Sequence, residues 1–154
     1  MTLTVRAFAT ADEDAVVALW EEAGLTRPWN DPHADIRRKL AVQPELFLVA
    51  VDGSRGGDEI VGSVMAGYDG HRGWLSYLAS ALSHRGRGIG RMLVTEAERL
   101  LEEMGCPKVQ LMVRPDNVGA RGFYEALGYE PFEIWATGKR LIVDGPGPAA
   151  GPLP

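Results

Sequence analysis

The chain has 154 residues, 45% of them hydrophobic and 24% charged, which suits one globular domain with its own core and leaves little room for a second. A formal net charge of -5 and a pI near 5.2 argue against a nucleic-acid partner, which would need a basic face to neutralise phosphates. The single cysteine, Cys106, excludes an intramolecular disulfide and a cysteine-rich zinc site; with no apolar run of the roughly 20 residues that span a bilayer and no signal-like start, a cytoplasmic protein without membrane attachment is expected.

Thr4 to Phe8 alternates weakly, as a strand does, and Asp12 to Asp14 open a helix whose apolar stripe is Ala15, Val16, Leu19, Trp20 and Ala23, with a stop at Gly24. "RPWNDP", Arg27 to Pro32, is dense in turn formers and leads into a short amphipathic helix over Ala34 to Leu40, a candidate lid on the substrate side. The β-rich runs Leu46 to Val51 and Ile60 to Tyr68 flank the turn "DGSRGGDE" and predict an antiparallel hairpin. After "YDGHRG", Tyr68 to Gly73, a third strand runs from Gly73 to about Leu82. Ile89, Leu93, Ala97, Leu100, Leu101 and Met104 then recur at helical spacing up to Gly105 and Pro107. Lys108 to Val113 reads as a strand, Asn117 opens a helix that ends at Gly128, and Tyr129 to Ile142 can supply two closing strands. The stretch 144–154, "DGPGPAAGPLP", has nothing with which to form a core and is expected to be a disordered tail to a domain over 1–143. The fold class is therefore α/β (α+β): a mixed, mostly antiparallel sheet of six or seven strands with helices on both faces and one parallel crossover after Leu82.

The basic residues concentrate in "RGRGIGR", Arg85 to Arg91, at a strand-to-helix junction. There the unpaired N–H groups and the positive end of a helix dipole converge on one spot suited to an anion. Gly86, Gly88 and Gly90 let a diphosphate approach the main chain, Ile89 begins the helix, and Arg85, Arg87 and Arg91 supply charge-assisted bonds. A dinucleotide-binding turn would come earlier, in a crossover between parallel strands; a P-loop needs Gly-Lys-Ser/Thr, which is absent; an arginine-glycine RNA tract would not run into an amphipathic helix. Asn117 and Tyr124 lie on one face of the following helix. Tyr124 is either core or a proton donor to a departing thiolate, and Asn117 either an N-cap or a holder of an amide-bearing arm.

"R-x-x-G-x-G" at Arg85 to Gly90, followed by "DNVGARGFYEALGY" at Asp116 to Tyr129, resembles the GNAT superfamily of N-acetyltransferases, and the match extends from about Thr4 to Ile142. "RPWNDP", "YDGHRG" and "GCPKVQ" are similar to its YpeA-type bacterial branch. The resemblance implies acetyl-CoA as acetyl donor and an amine-bearing acceptor that attacks the thioester directly in a ternary complex, so that Cys106 need not be a nucleophile. It implies a splayed sheet in which backbone groups of Leu78, Ala79 and Ser80 hold the pantetheine arm and Gly86 to Arg91 the diphosphate. A strand N–H near Ser80 would polarise the carbonyl, Tyr124 would protonate the leaving thiolate, and a homodimer is compatible with the family.

The chain also departs from the family pattern. Ser80 and Leu82 stand where a β-branched residue and a proline are frequent, which bears on the bulge that splays the strand. Met112 occupies the place of the glutamate base of ribosomal-protein acetyltransferases, which disfavours a ribosomal N-terminal alanine, and Trp74 that of another branch's glutamate. Asp69, His71 and Tyr77 remain as candidates near the cleft, although Asp69 also reads as a turn former and His71 as a solvated loop residue. Trp29, Asp31, Asp69 and His71 are expected to shape the acceptor pocket from two loops. His33, His71 and His84 have no ligand-like spacing, so no metal is implied. The competing readings are a non-catalytic CoA-binding regulatory module and an acetyltransferase of protein lysines or N-termini.

Overall fold

A computed structural model describes residues 2–144. The strands are β1 (Leu3–Ala7), β2 (Phe47–Asp52), β3 (Glu59–Tyr68), β4 (Gly73–Ser80) and β5 (Val109–Gln110); the helices are α1 (Glu13–Glu22), α2 (Pro32–Leu40), α3 (Ile89–Glu103) and α4 (Val118–Ala126). The strands lie in the order β1-β2-β3-β4-β5, antiparallel as far as β4 and then parallel to β5. The parallel pair is the one joined through α3, since parallel neighbours need a long crossover.

Two adjacent residues of β3 show why helices occupy both faces. The indole N–H of Trp20 in α1 donates to Ser63 Oγ at 2.8 Å. A Cβ at Gly62 would lie 2.6 Å from Ile89 Cγ2 and 2.9 Å from Leu93 Cδ1 of α3. Successive strand residues point to opposite faces, so α1 packs on one side and α3 on the other. Between helices and sheet lie Val16, Trp20, Ile36, Phe47, Val49, Val61, Leu93 and Leu101, all fully buried. Phe8 stacks on Phe47 with centroids 4.3 Å apart.

β4 is not a regular strand. Ser63 pairs with Ala79 and Met65 with Ser76, so the single residue Val64 faces both Tyr77 and Leu78. This bulge puts Tyr77 at φ 52, a left-handed conformation that bulky side chains rarely hold and that costs about 1–2 kcal/mol. The Ser63 hydroxyl donates to the Tyr77 carbonyl at 2.9 Å, and the Tyr77 ring stacks on Trp20 at 3.8 Å. These contacts hold the bulge in place.

Beyond α3 the structure corrects the expected strand count. Among the described residues the sheet has five strands, not six or seven: β5 is only Val109–Gln110 rather than Lys108 to Val113, and no closing strands form over 129–142. β5 pairs with β4 only at Gly73↔Val109 and Trp74↔Gln110, after which the chain leaves the sheet. The segment that follows α4 therefore has no edge to pair with, and Pro131 and Gly138 interrupt it. Phe132, Ile134, Trp135, Leu141 and Ile142 stay exposed in consequence. At its end Asp144, expected to begin the tail, is held by ion pairs to Arg38 and Arg140; the rest of that tail lies outside the described residues.

Candidate active site

The turn before α3 opens with one helical 3-10 turn, Leu82–His84, whose last residue is buried. His84 Nε2 lies 2.8 Å from Asp52 Oδ2 at the end of β2, and His84 Nδ1 lies 2.8 Å from Ser83 Oγ. Hydrogen bonds from Ser54 and then from His84 hold the Asp52 carboxyl far below its usual range. Anchored there, the chain passes through Gly86 (φ 77) and Gly88 (φ 78), the latter being the N-cap of α3. A Cβ at either glycine would meet nothing within 4 Å, so backbone conformation selects glycine here and the space outside stays open. Gly88 as N-cap offers no side chain to the first N–H groups of α3, which are the donors a helix start leaves over, and Arg85, Arg87 and Arg91 are exposed around them. Gly90 differs: a Cβ there would sit 3.0 Å from Phe123 Cζ, so its role in the fold is the close approach of α3 and α4.

Leu78 completes the bulge, and Ala79 and Ser80 follow it. On one side Ala79 and Ser80 pair with Ser63 and Gly62 of β3. On the other, β4 has no strand partner past Trp74 among the described residues, because β5 has already diverged. The edge of β4 over Leu78 to Ser80 is therefore left without a strand partner among the described residues, and the chain runs from it through Leu82–His84 into α3.

On α4, Asn117 is the N-cap, its side chain accepting from the Ala120 N–H at 3.1 Å. Tyr124 packs edge-on against Phe123 and Tyr129, with centroids 5.1 and 5.4 Å away, and its hydroxyl takes no protein partner among the described residues. Burial pushes its phenol up to about 12, so it is protonated at neutral pH. It borders a cavity of about 900 Å³ that also touches Leu111, Met112, Val113, Phe132 and Ile134, but not the glycine turn.

The expected acceptor-side residues separate into two groups. Asp69 caps the β3–β4 turn, accepting from the His71 N–H (2.8 Å), the Arg72 N–H (2.7 Å) and Trp74 Nε1 (3.1 Å). The two backbone N–H groups, followed by the indole, hold it at about 2, and His71 is exposed beside it. At the opening of α2, Asp31 accepts from the His33 N–H, with Trp29 half-buried nearby in the chain. No hydrogen bond or ion pair joins the two groups among the described residues. Tyr77 belongs with the α2 group: its hydroxyl donates to Asp35 Oδ2 at 2.6 Å. Burial first, and then Asp35, push the Tyr77 phenol far up. Asp35 also accepts from Arg38 at 2.8 Å, and Arg38 pairs with Asp144. Asp144 takes Arg140 at 2.8 Å and the Asp31 N–H at 3.2 Å, and is held at about 2, chiefly by Arg38. Asp35, Ser63 and Asp144 carry no local signal of this network in the sequence, since Tyr77, Trp20 and Arg38, which bind them, each come from a distant part of the chain.

A mixed sheet with a bulge in β4 and a glycine-bearing turn at the start of α3 make up the candidate site. The acetyltransferase (GNAT) family model matches residues 14–129. An acetyltransferase of Pectobacterium atrosepticum is 52% identical over 143 residues, covering 92% of this chain and 98% of that protein. A Yersinia pestis protein described as an uncharacterized N-acetyltransferase is 50% identical over the same span and shares. Among solved structures, the NatC complex bound to Gag peptide and CoA superposes with a TM-score of 0.74 at 25% identity, over 86% of this chain and 87% of that one. The chain belongs to the acetyltransferase (GNAT) family and is an acetyltransferase. No helix among the described residues is long and apolar enough to cross a membrane.

Proposed function

We propose that the chain transfers an acetyl group from acetyl-CoA to a primary amine, by direct attack of the amine on the thioester within a ternary complex. The observation that carries this reading is the path of the chain from the β4 bulge, past the edge of β4 that has no strand partner among the described residues, to the N-terminus of α3 at two left-handed glycines. That path fits an extended amide-bearing arm that ends in a diphosphate. Backbone groups of Leu78, Ala79 and Ser80 would hold the arm, Gly86 to Arg91 the diphosphate, and acetyl-CoA supplies the activated carbonyl. A β4 N–H near Ser80 stabilises the charge that develops on the carbonyl oxygen, and Tyr124 gives its proton to the leaving thiolate. The CoA-bound NatC complex supports the choice of donor.

The test is thiol release from acetyl-CoA across a panel of primary amines, with Tyr124→Phe measured beside the wild type. Turnover cut about 10²-fold or more by the substitution, at unchanged acetyl-CoA affinity, is expected of a proton donor. Equal turnover in the two proteins rejects that role.

A further inference from the structure

Direct attack requires an amine that has lost its proton, and the positions where related enzymes place a carboxylate base hold Met112 and Trp74 here. Asp69 already accepts from three donors within its own turn and is committed to capping it. His84 is buried against Asp52, and Glu98 takes the hydroxyl of Tyr129. Among the described residues, Asp35 is the carboxylate that takes a hydrogen bond from the bulge residue Tyr77, whose ring and carbonyl are both held.

Tyr77 occupies the bulge itself, next to the edge of β4 that would carry the pantetheine. Its carbonyl is held by Ser63 and its ring by Trp20, so the position of its hydroxyl is determined, and that hydroxyl ends on Asp35 Oδ2 at 2.6 Å. A bulky residue in left-handed backbone is a costly arrangement, of the kind that collects at functional sites. The Asp35 side chain is 23% exposed and therefore reachable. Of the roughly four acceptor sites on a carboxylate, Tyr77 fills one and Arg38 another, which leaves capacity for an ammonium. The same network contains Asp31 and Arg37 at the start of α2 and Arg140 and Asp144 of the C-terminal segment; Trp20, from α1, is uncharged.

We propose that Asp35 receives and deprotonates the acceptor ammonium, with Tyr77 and Arg38 as the positioning residues that orient its carboxylate. The inference rests on the acetyl-transfer reading above, and it assigns the acceptor to the amines that are protonated at neutral pH. In the step, R–NH3+ gives one proton to Asp35, and the freed lone pair forms the C–N bond to the thioester carbon. The C–S bond breaks, and the thiolate takes the Tyr124 proton. The second proton lost from nitrogen restores Tyr124 through solvent, and Asp35 returns its own proton to water, so that amide, CoA thiol and one net proton result.

The experiment measures thiol release from acetyl-CoA with two sets of probes: ethanolamine, spermidine and L-lysine, which are protonated at pH 7, and methoxyamine and aniline, which are not. Asp35→Asn should lower kcat/KM for the protonated set by about 10²- to 10⁴-fold at neutral pH, recover as the pH approaches the amine's own pKa, and leave the neutral set unchanged. Asp35→Glu, which keeps a carboxylate, should retain more activity than Asn, and Tyr77→Phe should show a partial loss with KM raised more than kcat is lowered. Calorimetric titration with acetyl-CoA confirms that each variant folds. Equal loss with both sets, no loss with either, or a wild type that binds acetyl-CoA yet uses none of the five probes overturns the inference. A wild type that does not bind acetyl-CoA removes the acetyl-transfer reading itself, and the role of Asp35 with it.

Discussion

Gly88 and Gly90 lie two residues apart and invite the same explanation, yet the structure predicts different consequences for replacing them by alanine. Gly88 has φ 78 with open space where a Cβ would project. Alanine there meets no steric obstacle, but it carries the left-handed penalty of about 1–2 kcal/mol. The turn is exposed between the buried His84 and the buried Ile89, so the free protein can relax that strain by local rotation of the backbone at Gly88. Binding a diphosphate must then restore the strained geometry, and a cost of about 1–2 kcal/mol corresponds to acetyl-CoA affinity weakened roughly 5- to 30-fold. At Gly90 a Cβ would press on the Phe123 ring at 3.0 and 3.1 Å, contacts that a ring shift relieves in part. Overpacking of that kind costs about 1–3 kcal/mol of stability and leaves the helix N-terminus where it is. Calorimetric titration with acetyl-CoA together with thermal unfolding separates the two: Gly88→Ala should change Kd more than Tm, and Gly90→Ala the reverse. Equal loss of affinity in both variants would refute this division of roles.

Gly62→Ala places a methyl group 2.6 Å from Ile89 and should destabilise the fold by about 1–3 kcal/mol in denaturant unfolding; an unchanged midpoint contradicts the close α3–β3 packing. Ser63→Ala leaves the Trp20 N–H and the Tyr77 carbonyl without their shared hydroxyl, at a cost of about 1–3 kcal/mol, and should alter Trp20 fluorescence; identical spectra and stability would show that the bulge does not depend on it. Asp144 has a depressed folded-state pKa, so its stabilising effect is complete above the unfolded value near about 3.9 and is lost as the pH falls toward about 2. Acid unfolding should therefore be shallower in Asp144→Asn over that interval, and superimposable acid limbs would count against the Arg38–Asp144–Arg140 clasp.

The helices and the first four strands were legible because their signals are local. Periodic apolar positions set α1 and α3, while Gly24, Gly105 and Gly128 mark the ends of α1, α3 and α4. The glycine turn was legible for a related reason: charge, glycine spacing and a following amphipathic helix are all contained in seven residues. Neither the bulge at Tyr77 nor its attachment to Asp35 could be read, since no local pattern reports a left-handed tyrosine or a hydrogen bond between residues 35 and 77. Asp69 was correctly suspected of being a turn former, and its three donors explain why. The strands expected beyond Lys108 had the right composition, but strand formation needs a neighbour, and β5 leaves the sheet after Gln110. Asp144 looked like the first residue of a tail because the glycines and prolines beyond it dominate the composition there, whereas two arginines hold it in place.

Isothermal titration of the full chain with acetyl-CoA, alongside free CoA and Gly88→Ala, tests most directly whether the path from the β4 bulge to the start of α3 receives acetyl-CoA. Saturable binding at a single site, shared by CoA and weakened in the variant, is the predicted result. Absence of saturable binding by the wild type, or binding that is insensitive to Gly88, would contradict the account.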